Sequence, residues 1–507
     1  MQKYLQNIKD LNGLITPDLL KDIIANHKDE SDRMIKLYER YKASEKGVPI
    51  LKRSLIEYDS FNTKSMKRID NKVNNMLNNA FDVDIIDTKI GYFLGHPITY
   101  DFDDKREPGT TSNSKEEIDT FNLRNHVEDE DAELGKMASI SGKGARLAYI
   151  DKNGDERIKN IDPWQVIFIG DNIHEPEYSI RYYESVDNEI QAEFYNETDI
   201  HFFVSEQGEY KFKERKPHLF EYNPLYGLAN NKELQGDTEK VLNLIDAYDR
   251  TLSDASNEIE QYRLAYLVLK GITSDEGTEE DLKRGRIIEL LGEHDDVSYL
   301  TKDINDDLIE HHLDRLEKNI IRFAKSVDFT DESFAGNITG VALKQKLRSL
   351  ENKCITMERK FTAMLRYQYK VIFSARSKRS SVNKDDYLKV WFGFKRNNPV
   401  HLLEEAQATQ ALRGHVSERT RLSALSIVDD VEFEIEEMKK EMAEQDEYMS
   451  NLKPLDNGGM SEGNKKKSSS STKSDTNCSE CGGDGKVPSQ KTGDQIQCKS
   501  CGGTGVR

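Results

Sequence analysis

The stretch that decides the fold is DTEKVLNLIDAYDRTLSDASNEIEQYRLAYLVLKG, residues Asp237 to Gly271. Its apolar residues fall at Val241, Ile245, Tyr248, Leu252, Ala255, Ile259 and Tyr262. These alternating steps of four and three predict a single seam running the length of one helix. Asp237 or Thr238 is placed to cap its start and Gly271 to end it, giving about 34 residues and roughly 50 Å at 1.5 Å per residue. A second seam reads Ile309, Leu313, Leu316, Ile320, Phe323, Val327, and a third Leu343, Leu347, Leu350, Cys354, Met357, Phe361, Met364. Helices this long act as spacers. Charge is segregated between them: Gly271–Glu310 holds 13 Asp/Glu against 4 Lys/Arg, whereas Thr339–Arg379 holds 11 Lys/Arg against 2 Asp/Glu.

Outward from that core the sequence reads as an α+β protein. Residues Pro17 to Ala43 carry an amphipathic helical stripe, and a second helix is expected from Ser65 to Gly91. It leads into GYFLGHPITY, where Pro97 forces an extended exit before the alternating Ile98, Tyr100 and Phe102. A helix around Glu116 to Met137 precedes β-like runs at Arg146–Ile150, Gln165–Gly170, Tyr178–Tyr183, Ile190–Tyr195 and Ile200–Val204. Asn153-Gly154, Asp171-Asn172 and Asp187-Asn188 supply turn signals. The aromatics Tyr182, Phe194, Tyr195, Phe202 and Phe203 of this region read as core. Between the first two spacer helices, Gly271 to Lys302 is too short for its own core and offers a small helix near Glu279–Arg284 and strands at Ile287–Leu291 and Val297–Leu300. If identical copies stood side by side, such strands could pair between chains, with a weakly ordered loop tip as the alternative. Beyond the basic helix, Leu388 to Phe394 reads as one strand, followed by helices at Leu402–Leu412, Glu418–Ile427 and Val431–Glu447. Asp456 to Asn477 is a low-complexity tether.

Composition bounds the function. The chain has 507 residues, 36% hydrophobic against 33% charged, and a mean hydropathy of −0.76, which points to extended elements rather than one dense globule. No run approaches the roughly 20 apolar residues that cross a bilayer, and the N-terminus lacks a signal peptide's apolar core. The expectation is a soluble protein made in the cytoplasm and without membrane partners. A net charge of −19 argues against global attraction to nucleic acid.

Four of the five cysteines stand as Cys478-Ser-Glu-Cys481 and Cys498-Lys-Ser-Cys501. Two CxxC pairs in this spacing can close a tetrahedral, structural zinc (Zn2+) site. Each is followed by the same glycine pattern, which lets backbone amides turn toward sulfur. The module resembles half of the cysteine-rich module of DnaJ-type cochaperones, which has four CxxCxGxG repeats. Enzymatic signatures are missing: the chain contains no HExxH, GxxxxGK[ST] or GxSxG. Glu310-His311-His312 reads as a polar helix face, because consecutive helical residues point about 100° apart. Cys354 holds a seam position and reads as a buried apolar residue.

The order of parts, with NKVNNMLNNAFDVDIIDTKIGYFLGHPITY from Asn71, YNPLYGLANNKELQGDTEKVLNLIDAYDRTLSDASNEIE from Tyr222, ESFAGNITGVALKQKL from Glu332 and KRNNPVHLLEEAQATQALRGHVSERTRLS from Lys395, resembles the portal proteins of tailed bacteriophages, of the siphophage type from Gram-positive hosts. The resemblance implies a portal-like subunit: N-terminal helices and a β-rich wing (1–235), stem helix 1 (236–270), a small α/β clip (271–302), stem helix 2 (303–327), a tunnel loop (328–340), a long wing helix and strand (341–395) and a helical crown (396–455). The linker (456–477) and zinc hairpin (478–507) lie outside that pattern. It further implies a non-enzymatic, homo-oligomeric ring of about twelve subunits at one vertex of a virion, assembled in the host cytoplasm. By the same resemblance double-stranded DNA would pass through the ring. Terminase large subunit and the head-completion adaptor dock on the clip, whose candidate contacts are Glu279, Glu280, Asp281, Glu293, Asp295 and Asp296, and capsid and scaffolding proteins surround the ring.

The loop FAGNITG offers the DNA Phe334, Gly336, Asn337, Thr339 and Gly340 rather than cations. Lys344 and Lys346, one turn later, are the candidates for weak backbone contacts, with ion pairing to acidic neighbours as the alternative. A channel in which DNA slides should not hold phosphates, since each neutralised phosphate adds sequence-independent affinity. Two rival readings are a zinc-containing cochaperone-like adaptor, against which stands the absence of an HPD tripeptide, and a coiled-coil scaffold, against which stands the shortness of the seams.

Overall fold

The structure, a computed structural model, describes residues 2–53, 74–102, 114–185, 189–262, 266–270, 296–300, 306–329, 340–379, 382–397, 402–425, 427–428, 431–451, 486–488 and 495–497. It falls into two compact units, residues 1–401 and 402–507.

In the first unit, α1 (Gln2–Asp10) and α2 (Pro17–Tyr41) come first, α2 starting at Thr16, whose hydroxyl accepts from the Leu19 amide at 3.3 Å with proline at the first helical position. Next are α3 (Phe81–Phe93), β1 (Thr99–Phe102), α4 (Ser114–Asn125) and α5 (Val127–Ser141). The single helix expected over Glu116–Met137 is therefore two, broken at His126 with φ 49°. Tertiary bonding explains the break. The buried Asn125 amide donates to the carbonyls of Phe121 and Glu156 and its oxygen accepts from the Ile158 amide. Continuing the helix would give up that anchor to the neighbouring strand.

The β-rich region contains β2 (Lys143–Ile150), β3 (Glu156–Ile161), β4 (Val166–Ile169), β5 (Tyr178–Glu184), β6 (Ile190–Tyr195), β7 (Asp199–Glu206), β8 (Glu209–Pro217) and β9 (Leu225–Ala229). They form an antiparallel three-stranded sheet, β3-β2-β9, and an antiparallel five-stranded meander, β4-β5-β6-β7-β8. Sequence reading missed β3, β8 and β9. The reason is plainest for β8, EYKFKERKP: it is an edge strand, mostly exposed, and its charges guard a free edge instead of marking an apolar face. Of the aromatics read as core, Phe194, Tyr195 and Phe203 are buried, and Tyr182 and Phe202 are half-buried.

Then follow α6 (Leu242–Tyr262), β10 (Tyr266–Lys270), β11 (Asp296–Leu300), α7 (Asp306–Ala324), α8 (Gly340–Arg376) and β12 (Val390–Gly393), the last pairing antiparallel with β1. The α8 seam is buried as read: Leu343, Leu347, Leu350, Cys354, Met357, Phe361 and Met364 share the largest core with Phe93, Phe121, Leu134 and Ala138. Each such side chain contributes about 1.5–3 kcal/mol. Burial pushes the Cys354 thiol up to about 11, so it is a packing residue rather than a nucleophile. A second core seats Ile8, Leu20 and Ile23 of α1 and α2 on Ile167, Ile180, Phe194 and Phe203 of the five-stranded sheet.

The second unit contains α9 (Leu402–Ala411), α10 (Glu418–Leu422), α11 (Val431–Asn451) and a short antiparallel ladder of β13 (Lys486–Pro488) and β14 (Gln495–Gln497). Gly414 at φ 82° turns the chain after α9, and the Ser417 hydroxyl caps α10, which is shorter than the expected Glu418–Ile427. Among the described residues no helix is long and apolar enough to cross a membrane.

Candidate functional site

The spacer helices α6 and α7 form one element. Val241 and Ile245, at the start of α6, share a buried cluster with Ile320 and Ala324, at the end of α7, so the two run antiparallel. Ile85 of α3 closes the cluster from the body of the first unit. Beyond α6 the chain does not stay helical to Gly271 as expected. Residues 266–270 are strand β10, paired antiparallel with β11 from Tyr266 opposite Leu300 to Lys270 opposite Asp296. The contiguous run YLVLK, apolar without helical alternation, suits a strand. Asp296 thus heads β11, while Glu279, Glu280, Asp281, Glu293, Asp295, the expected helix near Glu279–Arg284 and the strand Ile287–Leu291 lie outside the described residues.

Asp237 does not cap α6 either. It lies five residues before the helix, fully buried, with its Oδ2 accepting from Lys89 Nζ at 2.8 Å and its Oδ1 3.2 Å from Lys353 Nζ. Lys89 Nζ also donates to Ser139 Oγ at 3.0 Å and Asn230 Oδ1 at 2.7 Å, and Lys353 Nζ to the Ala324 carbonyl at 2.8 Å. All three ammonium hydrogens of Lys89 are therefore used. Burial alone would raise the Asp237 carboxyl; Lys89 and Lys353 outweigh it and hold it at about 2. Burial pushes Lys353 down, against the pull of Asp237. This knot joins α3, α5, the approach to α6, the end of α7 and the middle of α8. It is the root from which the helical pair projects.

Two arginines of α2 brace the same root. Arg33 Nη1 meets Glu239 Oε1 at 2.6 Å, and the buried Arg40 donates to Asp82 of α3 and, through Nη1 at 2.8 Å, to Asp246 of α6. A third brace corrects the helix expected from Ser65. Residues 74–80 are not helical; they lie along α6. The amide of Asn75 donates to Asn257 Oδ1 at 2.7 Å, that of Leu77 to Ser253 Oγ at 3.0 Å and that of Asn79 to Asp249 Oδ1 at 3.1 Å. Every second residue of an extended chain advances about 6.6 Å, and four helical residues about 6 Å, so the two repeats match rung for rung. A helix over 74–80 would lose these three bonds and strand the buried Asp249 and Ser253.

Lys344 is exposed and Lys346 half-buried on the first turns of α8, which begins at Gly340. Phe334, Gly336, Asn337 and Thr339 lie outside the described residues, as do the tether 456–477 and Cys478, Cys481, Cys498 and Cys501. Glu310, His311 and His312 are all exposed on α7, as a polar face should be. The root was the part that sequence reading missed. Lys89 and Lys353 break otherwise apolar surroundings, and an unexplained lysine beside core positions is the signal that could have found them.

A family model described as "Phage portal protein, SPP1 Gp6-like" matches residues 20–448. The portal protein of Bacillus phage SPP1 is 24% identical over 416 residues, covering 77% of this chain and 80% of its own length. The portal protein of Clostridium phage phiCD119 is 25% identical over 389 residues, covering 71% and 83%. Among solved structures, a chain described as "Neck of empty GTA particle computed with C6 symmetry" aligns with a TM-score of 0.42 at 10% identity, covering 69% of this chain and 91% of that one. The matched span runs through the three-stranded and five-stranded sheets, the rooted helical pair and the long basic helix, and leaves the cysteine pairs outside it. The chain belongs to the SPP1 Gp6-like family of phage portal proteins.

Proposed function

We propose that about twelve copies of this portal protein form a ring at one vertex of the virion, through which double-stranded DNA enters and later leaves. The observation that carries this reading is the family match over residues 20–448. Two features of the chain support it. The pair α6–α7 is a rooted spacer that carries the β10–β11 ladder away from the root, where α6 starts and α7 ends. Residues 271–302 are then the clip, on which terminase large subunit and the head-completion adaptor dock, with Glu279, Glu280, Asp281, Glu293, Asp295 and Asp296 as contacts. The net charge of −19 suits a channel whose wall must not retain phosphates.

Phe334, Gly336, Asn337, Thr339 and Gly340 form the loop facing the DNA, with Lys344 and Lys346 behind it. The protein carries out no reaction of its own; ATP hydrolysis belongs to terminase. The tail holds a structural zinc ion on Cys478, Cys481, Cys498 and Cys501. The topology fits: Lys486 opposite Gln497 is the open end of the β13–β14 ladder, and Cys481 and Cys498 both continue from that end. Four thiolates would fill the coordination sphere, which leaves the metal no open position for catalysis.

The test is electron microscopy of the purified protein with light scattering for mass. Rings of about twelve 58.3 kDa subunits around a channel are expected. A chain that is monomeric both in solution and in packaging-competent heads overturns the reading. Replacing residues 334–340 by a Gly/Ser segment should block packaging and spare the ring; intact packaging removes the DNA role from that loop.

A further inference from the structure

α7 is the bare member of the helical pair. On the side away from α7, α6 is already covered by the rungs from Asn75, Leu77 and Asn79, by Arg40 at Asp246 and by Arg53 at Asp254, 2.6 Å away. α7 buries Leu316, Ile320 and Ala324 along its seam, and the rest of its circumference is exposed or half-buried. At about 100° per residue, Glu317 and Asp314 stand about 60° and 120° to one side of that seam, and Arg315 and Arg322 about 140° and 160° to the other. The two carboxylates share their side with Tyr248: burial raises its phenol, and Glu317, Asp249 and Asp314 add to the effect. Leu308 and Phe323, 64% and 55% exposed, lie on the arginine side.

These charges are poorly matched within the subunit. Neither Glu317 nor Arg315 has an ion pair or hydrogen bond with any described residue. Among the described residues Arg322 lies only over the ring of its neighbour Phe323, at 5.8 Å. Asp314 has a single exposed pair, with Lys318 at 3.3 Å.

Resting on the ring reading above, we infer that Arg315 and Arg322 of α7 in one copy dock on Asp314 and Glu317 of α7 in the next. The helix itself fixes the level. Rotation about a ring axis preserves height, and Arg315 is one residue from Asp314 and two from Glu317, within about 3 Å along the helix. Arg322 lies about 7.5 Å beyond Glu317, and helical side chains lean toward the N-terminus, hence toward it. The directions fit as well. In a ring of about twelve, the two neighbours of a copy are seen about 150° apart; the arginines and the carboxylates point about 120° apart, a gap that long side chains span. Front-to-back complementarity of this kind generates closed rings, whereas a self-complementary patch generates dimers. Nucleic acid is the other partner the arginines would suit. A protein surface is favoured because two large apolar side chains accompany them and because the same helix supplies the missing carboxylates at the same level.

The test uses the full chain in three forms: R315E/R322E, D314K/E317K, and all four changes together. Asp314, Arg315 and Arg322 are exposed and Glu317 is half-buried, and circular dichroism establishes that each variant folds. Each two-site variant sets like charges against each other at every junction and should need at least about tenfold more protein than the wild type to form rings. Rings are counted by electron microscopy, in solution and in heads. The four-site variant reverses both sides together and should form rings at the wild-type concentration. Either two-site variant forming rings as readily as wild type, or a folded four-site variant forming none, overturns the pairing and leaves the portal reading standing. Normal rings of R315E/R322E that no longer bind a labelled DNA duplex overturn it too, and reassign the arginines to nucleic acid. A wild-type chain that never forms rings, in solution or in heads, overturns the pairing together with the ring it rests on.

Discussion

Asp237 shows how much one side chain can be made to hold. It accepts from two lysines that arrive from α3 and α8, and its neighbours Asn230 and Ser139 complete the hydrogen bonding of Lys89. Removing one partner of a buried ionic knot leaves an uncompensated charge, which costs about 3–5 kcal/mol. Asp237→Asn is therefore expected to lower the unfolding free energy by that amount, read as a lower urea midpoint with an unchanged m-value. The carboxyl is held at about 2, below its unfolded value near 3.9. Its contribution is thus complete above about pH 4 and lost as pH falls toward 2. His174 acts higher on the scale. Burial, aided by Lys360, holds its imidazole at about 4, against a hydrogen bond to the Gly227 carbonyl that favours the charged form. Its Nε2 is buried with no acceptor, so protonation creates an unsatisfied donor. The unfolded chain takes up that proton near pH 6.5, so stability should fall by about 3 kcal/mol between there and pH 4. His174→Gln should flatten this part of the stability–pH curve, measured by denaturation at stepped pH.

At the scale of elements, seams were legible and interruptions were not. The α8 seam, the α2 stripe and the runs at β5, β6 and β7 follow from periodicity because each buries one face against a continuous partner. The extended segment 74–80 has no periodic signature. NNMLNNA looks like the tail of a helix, and only Asp249, Ser253 and Asn257 on a distant helix select the extended form. The same holds for Asn125, which breaks a helix for the sake of a strand 31 residues away. Where backbone groups are satisfied by side chains from elsewhere, local sequence cannot announce it. Ser253→Ala should remove one rung, at a cost of about 0.5–1.5 kcal/mol for one net hydrogen bond. Hydrogen exchange of the Leu77 amide should accelerate accordingly, and that of amides in the α8 core should not.

For the whole molecule, architecture was read largely from the order of parts, and the family match covers the same span. What no order of parts conveys is the root, where five separate segments of chain meet on a handful of charges. Its location near the base of α6 and α7 means that changes in the body reach the helical pair through α3 and α8. The tail is the opposite case, a segment whose motif is plain and which the family match does not include. Deletion after Leu455 is expected to leave the number of subunits per ring and packaging at wild-type levels. A chelator should abolish the tail's own protection from protease while leaving the melting of residues 1–455 unchanged.

The three rungs between residues 75–79 and α6 also have a mechanical meaning. They lie side by side along one line, so a push or pull directed down the helix strains all three together and is resisted by their sum. A force directed sideways, lifting the segment off the helix, meets them one after another and needs to overcome only the weakest at a time. The spacer is thus stiff along its own length and yielding across it.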